Sequence, residues 1–145
     1  MGDVTAHFNI EEFRSGDGVQ YPEDWRGRLE ELCDQLEIIR RTVGRGDQDA
    51  ARLIVTSGYR TPAHNASVGG AEASEHCQGR AADIVAWRRA GGGEWEACLP
   101  DALARIITQL RDLKTLPLGG LGWYGSFTHF DIRGVEATFG DRRPQ

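Results

Sequence analysis

The sequence predicts an α+β fold in which helices pack on one small, mainly antiparallel β-sheet. Two stretches repeat apolar residues at steps of three and four, which is typical of amphipathic helices. Four shorter apolar stretches have the length and composition of strands, and a short glycine-containing turn separates the last two. Such close spacing favours a hairpin, and therefore an antiparallel pair.

The first half of the chain predicts a short entry segment, a long helix and a buried strand. In the entry segment, 7–13, Phe8 and Phe13 can anchor one helical turn to the core. The long helix follows Pro22, and its acidic start and basic end suit the helix dipole. Its apolar stripe consists of Trp25, Leu29, Leu32, Leu36, Ile39 and Val43. A continuous apolar run at 53–56 predicts the strand.

The second half predicts a short helix, a further amphipathic helix and three strands. The short helix begins at the proline of 62–66, and a strand follows at 80–86. Residues 87–100 contain several glycines and predict an excursion over the surface. The next helix has the apolar stripe Leu103, Ile106, Ile107, Leu110 and Leu113. Strands at 119–124 and 127–133 form the predicted hairpin.

The bulk composition fits one globular domain, 1–145, with a core at about 8–134 and a flexible tail at 140–145. Apolar residues make up 39% of the chain and charged residues 27%, which is ordinary for a globular protein. The net charge of −5 argues against a nucleic-acid partner, which requires a basic surface. No apolar run approaches the roughly 18 residues of a membrane span, and no long heptad pattern is present. We therefore expect a monomer without a membrane partner.

The start of the chain and its cysteines predict a protein made in the cytoplasm. Residues 1–4 lead into polar sequence without the basic segment and apolar run of a signal peptide. Cys33, Cys77 and Cys98 cannot all pair, and their spacing matches neither a CxxC pair nor a disulfide framework. We expect reduced thiols and a fold that needs no disulfide.

The stretch 74–83 carries the strongest chemical signal, with His76 and Asp83 seven residues apart across a glycine and two alanines. Imidazole nitrogen and carboxylate oxygen are both zinc ligands, and a catalytic zinc site takes three such ligands. The alternative is a surface histidine and a structural aspartate. So many fixed small and polar positions around the pair make that alternative weak.

A second signal lies at His129 and Asp131, which point to the same face if 127–133 is a strand. One of the two can bind the metal while the other orients a ligand or reaches its water. The alternative is a polar pair that makes a local hydrogen bond. Two histidines and an aspartate together would fit a catalytic zinc site.

Two further side chains are candidates for substrate binding. Arg60 follows a strand and a glycine turn, and its guanidinium can grip a carboxylate or carbonyl through two parallel hydrogen bonds. The alternatives are a solvated arginine and one paired to an acid within the fold. Ser74 can hydrogen-bond substrate, or it can cap the turn before His76. We expect His7 and His64 not to be ligands.

Taken together, the motifs resemble the zinc D-Ala-D-Ala carboxypeptidase family. That family includes vancomycin-resistance dipeptidases and phage endolysins that cut L-Ala-D-Glu bonds, and its fold is shared with the hedgehog signalling domain. The resemblance covers 8–134 and is closest to the short single-domain branch of bacteria and phages. The motifs are Ser57-Gly58-Tyr59-Arg60-Thr61-Pro62, His64-Asn65, Val68-Gly69-Gly70, Ser74-x-His76-x2-Gly79-x-Ala81-x-Asp83, Gly120-Leu121-Gly122 and Thr128-His129-Phe130-Asp131-Ile132-Arg133.

The resemblance implies a Zn2+ cofactor, with His76, Asp83 and His129 as its ligands. It implies that Arg60 contacts substrate near the scissile bond and that Ser74 is the serine beside the first ligand. The implied reaction is hydrolysis of peptidoglycan stem peptides, of the D,D-carboxypeptidase or the L-Ala-D-Glu endopeptidase type. The implied place of action is the cell wall or periplasm, after release of the bacterial or phage protein.

The general base departs from the family pattern, in which an acid lies three residues before the last histidine. Here that position is Ser126. Asp131 is the nearest acid, and the short branch shares its His-x-Asp pattern. We assign Asp131 as the base, with orientation of a ligand as the second choice. The replaced acid also leaves an alternative function, a non-catalytic phage or cell-wall-associated binding module that retains the fold.

Overall fold

The computed structural model describes residues 2–144. Met1 and Gln145, the two ends of the predicted domain, lie outside the described residues. Gln145 is also the last residue of the predicted flexible tail. Within 2–144, three α-helices and one six-stranded, mostly antiparallel sheet confirm the predicted α+β class. The α-helices are α1 (Arg26–Val43), α2 (Pro62–Ser67) and α3 (Pro100–Asp112). The strands are β1 (Ala51–Ser57), β2 (Ala81–Arg88), β3 (Glu96–Cys98), β4 (Gly120–Trp123), β5 (Thr128–Asp131) and β6 (Ala137–Phe139).

The two long helices form one layer of the core. A 3-10 turn, Glu23–Trp25, leads into α1, and the helix ends before Gly44. The apolar stripe of α1 packs on β1 and β2, while α3 packs mainly on β4 and β5. The most deeply buried stripe residues, each 0% exposed, are Leu29, Leu32, Leu36, Ile39 and Ile107. Burial of each such side chain contributes roughly 1.5–3 kcal/mol, so these two stripes supply a substantial share of the apolar driving force.

The sheet has the order β1-β2-β5-β4-β6, and β3 pairs with β2 at the far end of that strand. Neighbours are antiparallel except β4 and β6, which are parallel. Because side chains alternate along a strand, Ala82, Ile84 and Ala86 reach the apolar core and Asp83 points to the opposite face. The register of β2 and β5 sets Asp83 opposite His129. The middle of the sheet therefore presents polar side chains on the face away from the long helices.

Two strands depart from the sequence expectation. The predicted surface excursion at 87–100 is wrong at both ends, because β2 continues to Arg88 and Glu96–Cys98 returns to pair with it as β3. The strand Ala137–Phe139 was not predicted at all. Both short strands have little apolar periodicity of their own, and pairing with distant residues is what makes them strands.

The remaining expectations concern the entry segment, the thiols and the membrane. Phe8 and Phe13 are 0% exposed and anchor the 3-10 turn Ile10–Phe13, as predicted. Cys33, Cys77 and Cys98 are free thiols. Within residues 2–144, no helix combines the length and apolar character that crossing a bilayer requires.

Candidate metal centre and its cleft

His76 lies on a 3-10 turn, Glu75–Gln78, that directly precedes β2. The Ser74 side chain caps this turn by accepting a hydrogen bond from the His76 backbone N–H at 3.2 Å. Gly79 ends the turn with a φ of +69°, and a Cβ there would lie 2.6 Å from the Tyr21 hydroxyl oxygen. That hydroxyl donates to the Gly79 carbonyl at 2.7 Å. The turn therefore requires glycine at this position, and it buries His76 to 2% exposure.

A backbone carbonyl determines which nitrogen of His76 is available. Its Nδ1 lies 2.7 Å from the Gly58 carbonyl oxygen, which can only accept, so Nδ1 carries the proton. The lone pair of Nε2 then points toward Asp83 Oδ1 at 3.2 Å. Gly58 follows β1, and a Cβ there would lie 2.7 Å from Phe13 Cα. Close packing of the entry segment thus keeps the carbonyl in place.

His129 is oriented in the same way by Asp131. Its Nε2 lies 2.7 Å from Asp131 Oδ2, and its Nδ1 lies 3.1 Å from Asp83 Oδ1. Both neighbours are carboxylates, which accept, so a neutral ring places its single proton on the nitrogen with the shorter contact, Nε2, and the Nδ1 lone pair then faces Asp83. The rings of His76 and His129 have centroids 5.0 Å apart. All three side chains are buried, and their ligand atoms lie within 4.8 Å of one another.

The arrangement of lone pairs fits a cation. Burial raises the pKa of Asp83, but when the two imidazoles are protonated on the nitrogens that face it, their hydrogen bonds and positive charge outweigh burial and bring the pKa to about 2. Asp83 is therefore ionised at neutral pH. With the tautomers assigned above, three acceptors face one another, and either protons on the imidazoles or one cation must satisfy them. Two imidazole nitrogens and one carboxylate oxygen are the donor set of a three-ligand zinc site, so the residues fit Zn2+.

Asp131 itself is enclosed by donors. Besides His129, it accepts from the Gly120 backbone N–H at 2.8 Å and from Arg133 Nε and Nη2 at 2.9 and 2.6 Å. Burial raises its pKa, but the hydrogen bonds from His129 and Arg133 outweigh this and hold the pKa well below its usual range. Asp131 is 0% exposed, and its carboxylate lies on the side of the His129 ring away from Asp83. This geometry favours the second choice for Asp131, orientation of a ligand.

Arg60 lies beside the cluster and is already tied to the fold. Its Nε donates to Ser57 Oγ at 3.2 Å, its Nη1 to Asn65 Oδ1 at 3.3 Å and its Nη2 to Asp83 Oδ2 at 3.2 Å. The guanidinium therefore pairs with an acid of the fold, one of the alternatives left open by the sequence. Its side chain keeps 16% exposure and still borders open space.

A cleft of about 450 Å³ opens onto the cluster. It brings together Arg60, Ser74 and the three candidate ligands, which the sequence had placed in three separate motifs. Asp131 does not line this cleft. His7 pairs instead with Glu37 at 2.7 Å, and neither His7 nor His64 belongs to the metal cluster found within residues 2–144.

Five charged or aromatic residues of the cleft were not assigned a role from the sequence: Glu75, Tyr124, Phe127, Arg133 and Phe139. Tyr124 and Phe127 stack at 4.6 Å and form an aromatic wall. Phe139, on the unpredicted β6, packs against the His129 ring at 4.9 Å. Glu75 and Arg133 stand inside the quoted motifs, so their charge was a signal that sequence reasoning could have used. Phe139 lies outside the motifs, and no signal in the sequence pointed to it.

One comparison with known proteins gave a match. The family model described as Peptidase M15 matches residues 6–131. No curated protein sequence and no solved structure matches the chain.

Proposed function

Because the chain belongs to the peptidase M15 family, we propose that it is a zinc-dependent peptidase that hydrolyses peptidoglycan stem peptides. The observation that carries the proposal is the convergence of His76, Asp83 and His129 within 4.8 Å at the base of a cleft. Buried imidazole and carboxylate groups in such an arrangement are expensive unless they bind a cation or protons. The D,D-carboxypeptidase and L-Ala-D-Glu endopeptidase reactions both fit this proposal.

His76 Nε2, one oxygen of Asp83 and His129 Nδ1 would hold the zinc. Bound zinc would supply a Lewis acid for the scissile carbonyl and lower the pKa of an attacking water. The protein supplies fixed ligands, because the Gly58 carbonyl and Asp131 each hold one imidazole in a single tautomer. Because the two imidazole rings are already oriented, less conformational entropy is lost when the three ligands take up their places.

The remaining candidates have roles around the substrate. Asp131 orients His129 and keeps its Nε2 protonated, which supports the direction of the Nδ1 lone pair. Arg60 contacts the substrate near the scissile bond, supported by its position on the cleft beside Asp83. Ser74 caps the turn of His76, and from the wall of the cleft it can also hydrogen-bond the substrate.

A non-catalytic binding module is the second candidate, because the acid nearest the last histidine is buried and absent from the cleft lining. The deciding experiment measures zinc content and stem-peptide hydrolysis on the same preparation, with His76→Ala beside the wild type. One zinc per chain, lost in the variant together with hydrolysis, supports the peptidase. Zinc without hydrolysis of any stem peptide favours the binding module, and absence of zinc refutes the metal centre.

We also propose that the protein acts as a monomer on peptidoglycan at the cell wall or periplasm after release, without a nucleic-acid or membrane partner. Its net charge of −5 supports the first of these exclusions. Light scattering during size-exclusion chromatography measures the mass, and a species of twice the chain's 16.0 kDa would contradict the monomer.

A further inference from the structure

We propose that Arg133 binds a carboxylate of the substrate peptide and thereby gives the cleft its preference for acidic peptides. This inference rests on the proposed peptidase function and specifies which side chain recognises the substrate. Arg133 follows β5, four residues after His129, and lines the same cleft as the metal cluster. Its side chain is 28% exposed, compared with 16% for Arg60.

One edge of the Arg133 guanidinium, formed by Nε and Nη2, is bound by the fold. Its Nε and Nη2 donate to the two oxygens of Asp131 at 2.9 and 2.6 Å, and its Cζ lies 5.6 Å from the centre of the Phe139 ring. Asp131 is in turn fixed by Gly120 and His129. A guanidinium held in this way has lost most of its rotamer freedom before a ligand arrives, so binding costs less entropy.

The unused donors of Arg133 distinguish it from Arg60. Among residues 2–144, Nη1 of Arg133 has no hydrogen-bond partner, whereas all three nitrogens of Arg60 already donate to side chains of the fold. A guanidinium has five N–H donors, and a carboxylate is the group that best matches a free edge. Arg133 is therefore the better-placed cation for an incoming anion, although Arg60 was the residue that the sequence indicated.

The acids around Arg133 leave room for such a ligand. Asp131 accounts for the ion pair of Arg133, and Glu75 is a more distant negative charge that also raises the pKa of this arginine. Glu75 lines the cleft, and one of its carboxylate oxygens is buried without a hydrogen-bond partner in the described part of the chain. Glu75 and Arg133 form no ion pair within that part. Both side chains line the cleft through which a substrate group would enter.

A stem peptide offers two sources of this carboxylate, its C-terminus and the free carboxyl of its D-Glu residue. The shared chemistry is a carboxylate close to the scissile bond. Three synthetic stem pentapeptides separate the sources: one unmodified, one with an amidated C-terminus and one with the D-Glu carboxyl converted to an amide. Each amide removes one negative charge and changes the shape of the peptide little.

The experiment compares wild type, Arg133→Gln, Arg133→Lys and a matched control, Arg105→Gln, on the exposed face of α3. KM, kcat and the dissociation constant of each peptide are measured on protein with verified zinc content. A charge-assisted hydrogen bond predicts that wild type binds one acid peptide about 10- to 100-fold more tightly than its amide. Arg133→Gln should abolish that ratio, Arg133→Lys should keep part of it, and Arg105→Gln should leave it unchanged.

The outcomes separate this inference from the proposed function. If the wild type binds the acid and amide peptides equally, that measurement alone overturns the proposed role of Arg133. A variant that weakens all three peptides by the same factor also overturns it, because that pattern indicates a structural role only. If wild type hydrolyses nothing, the proposed peptidase fails, while the acid-to-amide ratio of the dissociation constants still tests Arg133.

Discussion

Replacing Asp131 by Asn separates the two roles considered for this carboxylate, because the amide keeps the shape of the side chain and removes its charge. In the protein, Asp131 accepts hydrogen bonds from His129 at 2.7 Å, from Gly120 at 2.8 Å and from Arg133 at 2.9 and 2.6 Å. An amide has only one oxygen and adds an NH2 donor, so at least one of these contacts becomes repulsive. The His129 tautomer then loses its support.

The expected magnitude follows from those contacts. Loss of a group that orients a metal-binding histidine lowers metal affinity by roughly 10- to 100-fold, which is about 1.4–2.7 kcal/mol. Removing one partner of a fully buried charge pair costs about 3–5 kcal/mol of folding free energy. Arg133 is 28% exposed and the amide keeps part of the hydrogen bonding, so we expect a smaller loss of about 2–3 kcal/mol.

The assay is a zinc competition titration against a coloured chelator, with urea unfolding of the apo protein in parallel. The matched control is Asp101→Asn, which removes a partly exposed carboxylate paired with Arg142. At saturating zinc, the variant should recover most of its hydrolytic rate if Asp131 only orients His129. Unchanged zinc affinity together with a rate loss of about 10²- to 10⁴-fold would refute this reasoning and identify Asp131 as the general base.

Three further predictions test the support of the site. Gly120→Ala should lower zinc affinity, and it should lower stability by about 1–3 kcal/mol, because its Cβ would lie 2.1 Å from Asp131 Oδ2. Metal analysis measures the zinc affinity and calorimetry the stability. Unchanged zinc affinity and stability would contradict this close packing. Burial raises the pKa of Tyr21 to about 12, so stability present below pH 10 should be lost as the pH rises from 10 toward 12. Tyr21→Phe should reduce that loss, because the other groups with raised pKa values remain, and at pH 7 it should cost about 1 kcal/mol in chemical denaturation. A wild-type melting temperature that stays flat to pH 12 would exclude this contribution. Chelation of zinc present at 100 times its dissociation constant should remove about 2.7 kcal/mol of stability in thermal unfolding, whereas His76→Ala should show no response to the chelator.

Local pattern was enough to predict much of the fold. The stripes of α1 and α3 repeat with the period of a helix, so most of the buried face of each follows directly from residue spacing. Leu113 is the exception: α3 ends at Asp112, and Leu113 is 76% exposed, so its place in the stripe was wrong. Local pattern also predicted the strands: apolar runs indicated β1 and β2, and a short glycine-containing turn indicated the hairpin of β4 and β5. The α+β class and the family resemblance are both confirmed.

The candidate site was predicted in its residues but only in part in its roles. His76, Asp83 and His129 lie in two motifs that the register of β2 and β5 and the turn of His76 bring together. Their binding of zinc stays a prediction, as do the roles of Arg60 and Asp131. A motif names the chemical groups, but hydrogen-bond partners depend on chain segments far away in sequence.

What the sequence by itself determined is therefore the set of periodic elements and the identity of the candidate ligands, because both depend on neighbours along the chain. What only the tertiary structure decided is the state of those ligands. Gly58 determines the tautomer of His76, and Gly120 and Arg133 enclose Asp131. Strand β6 entered the sheet through parallel pairing with β4 and brought Phe139 to His129. These contacts depend on how distant segments pack, and no local period in the sequence encodes them.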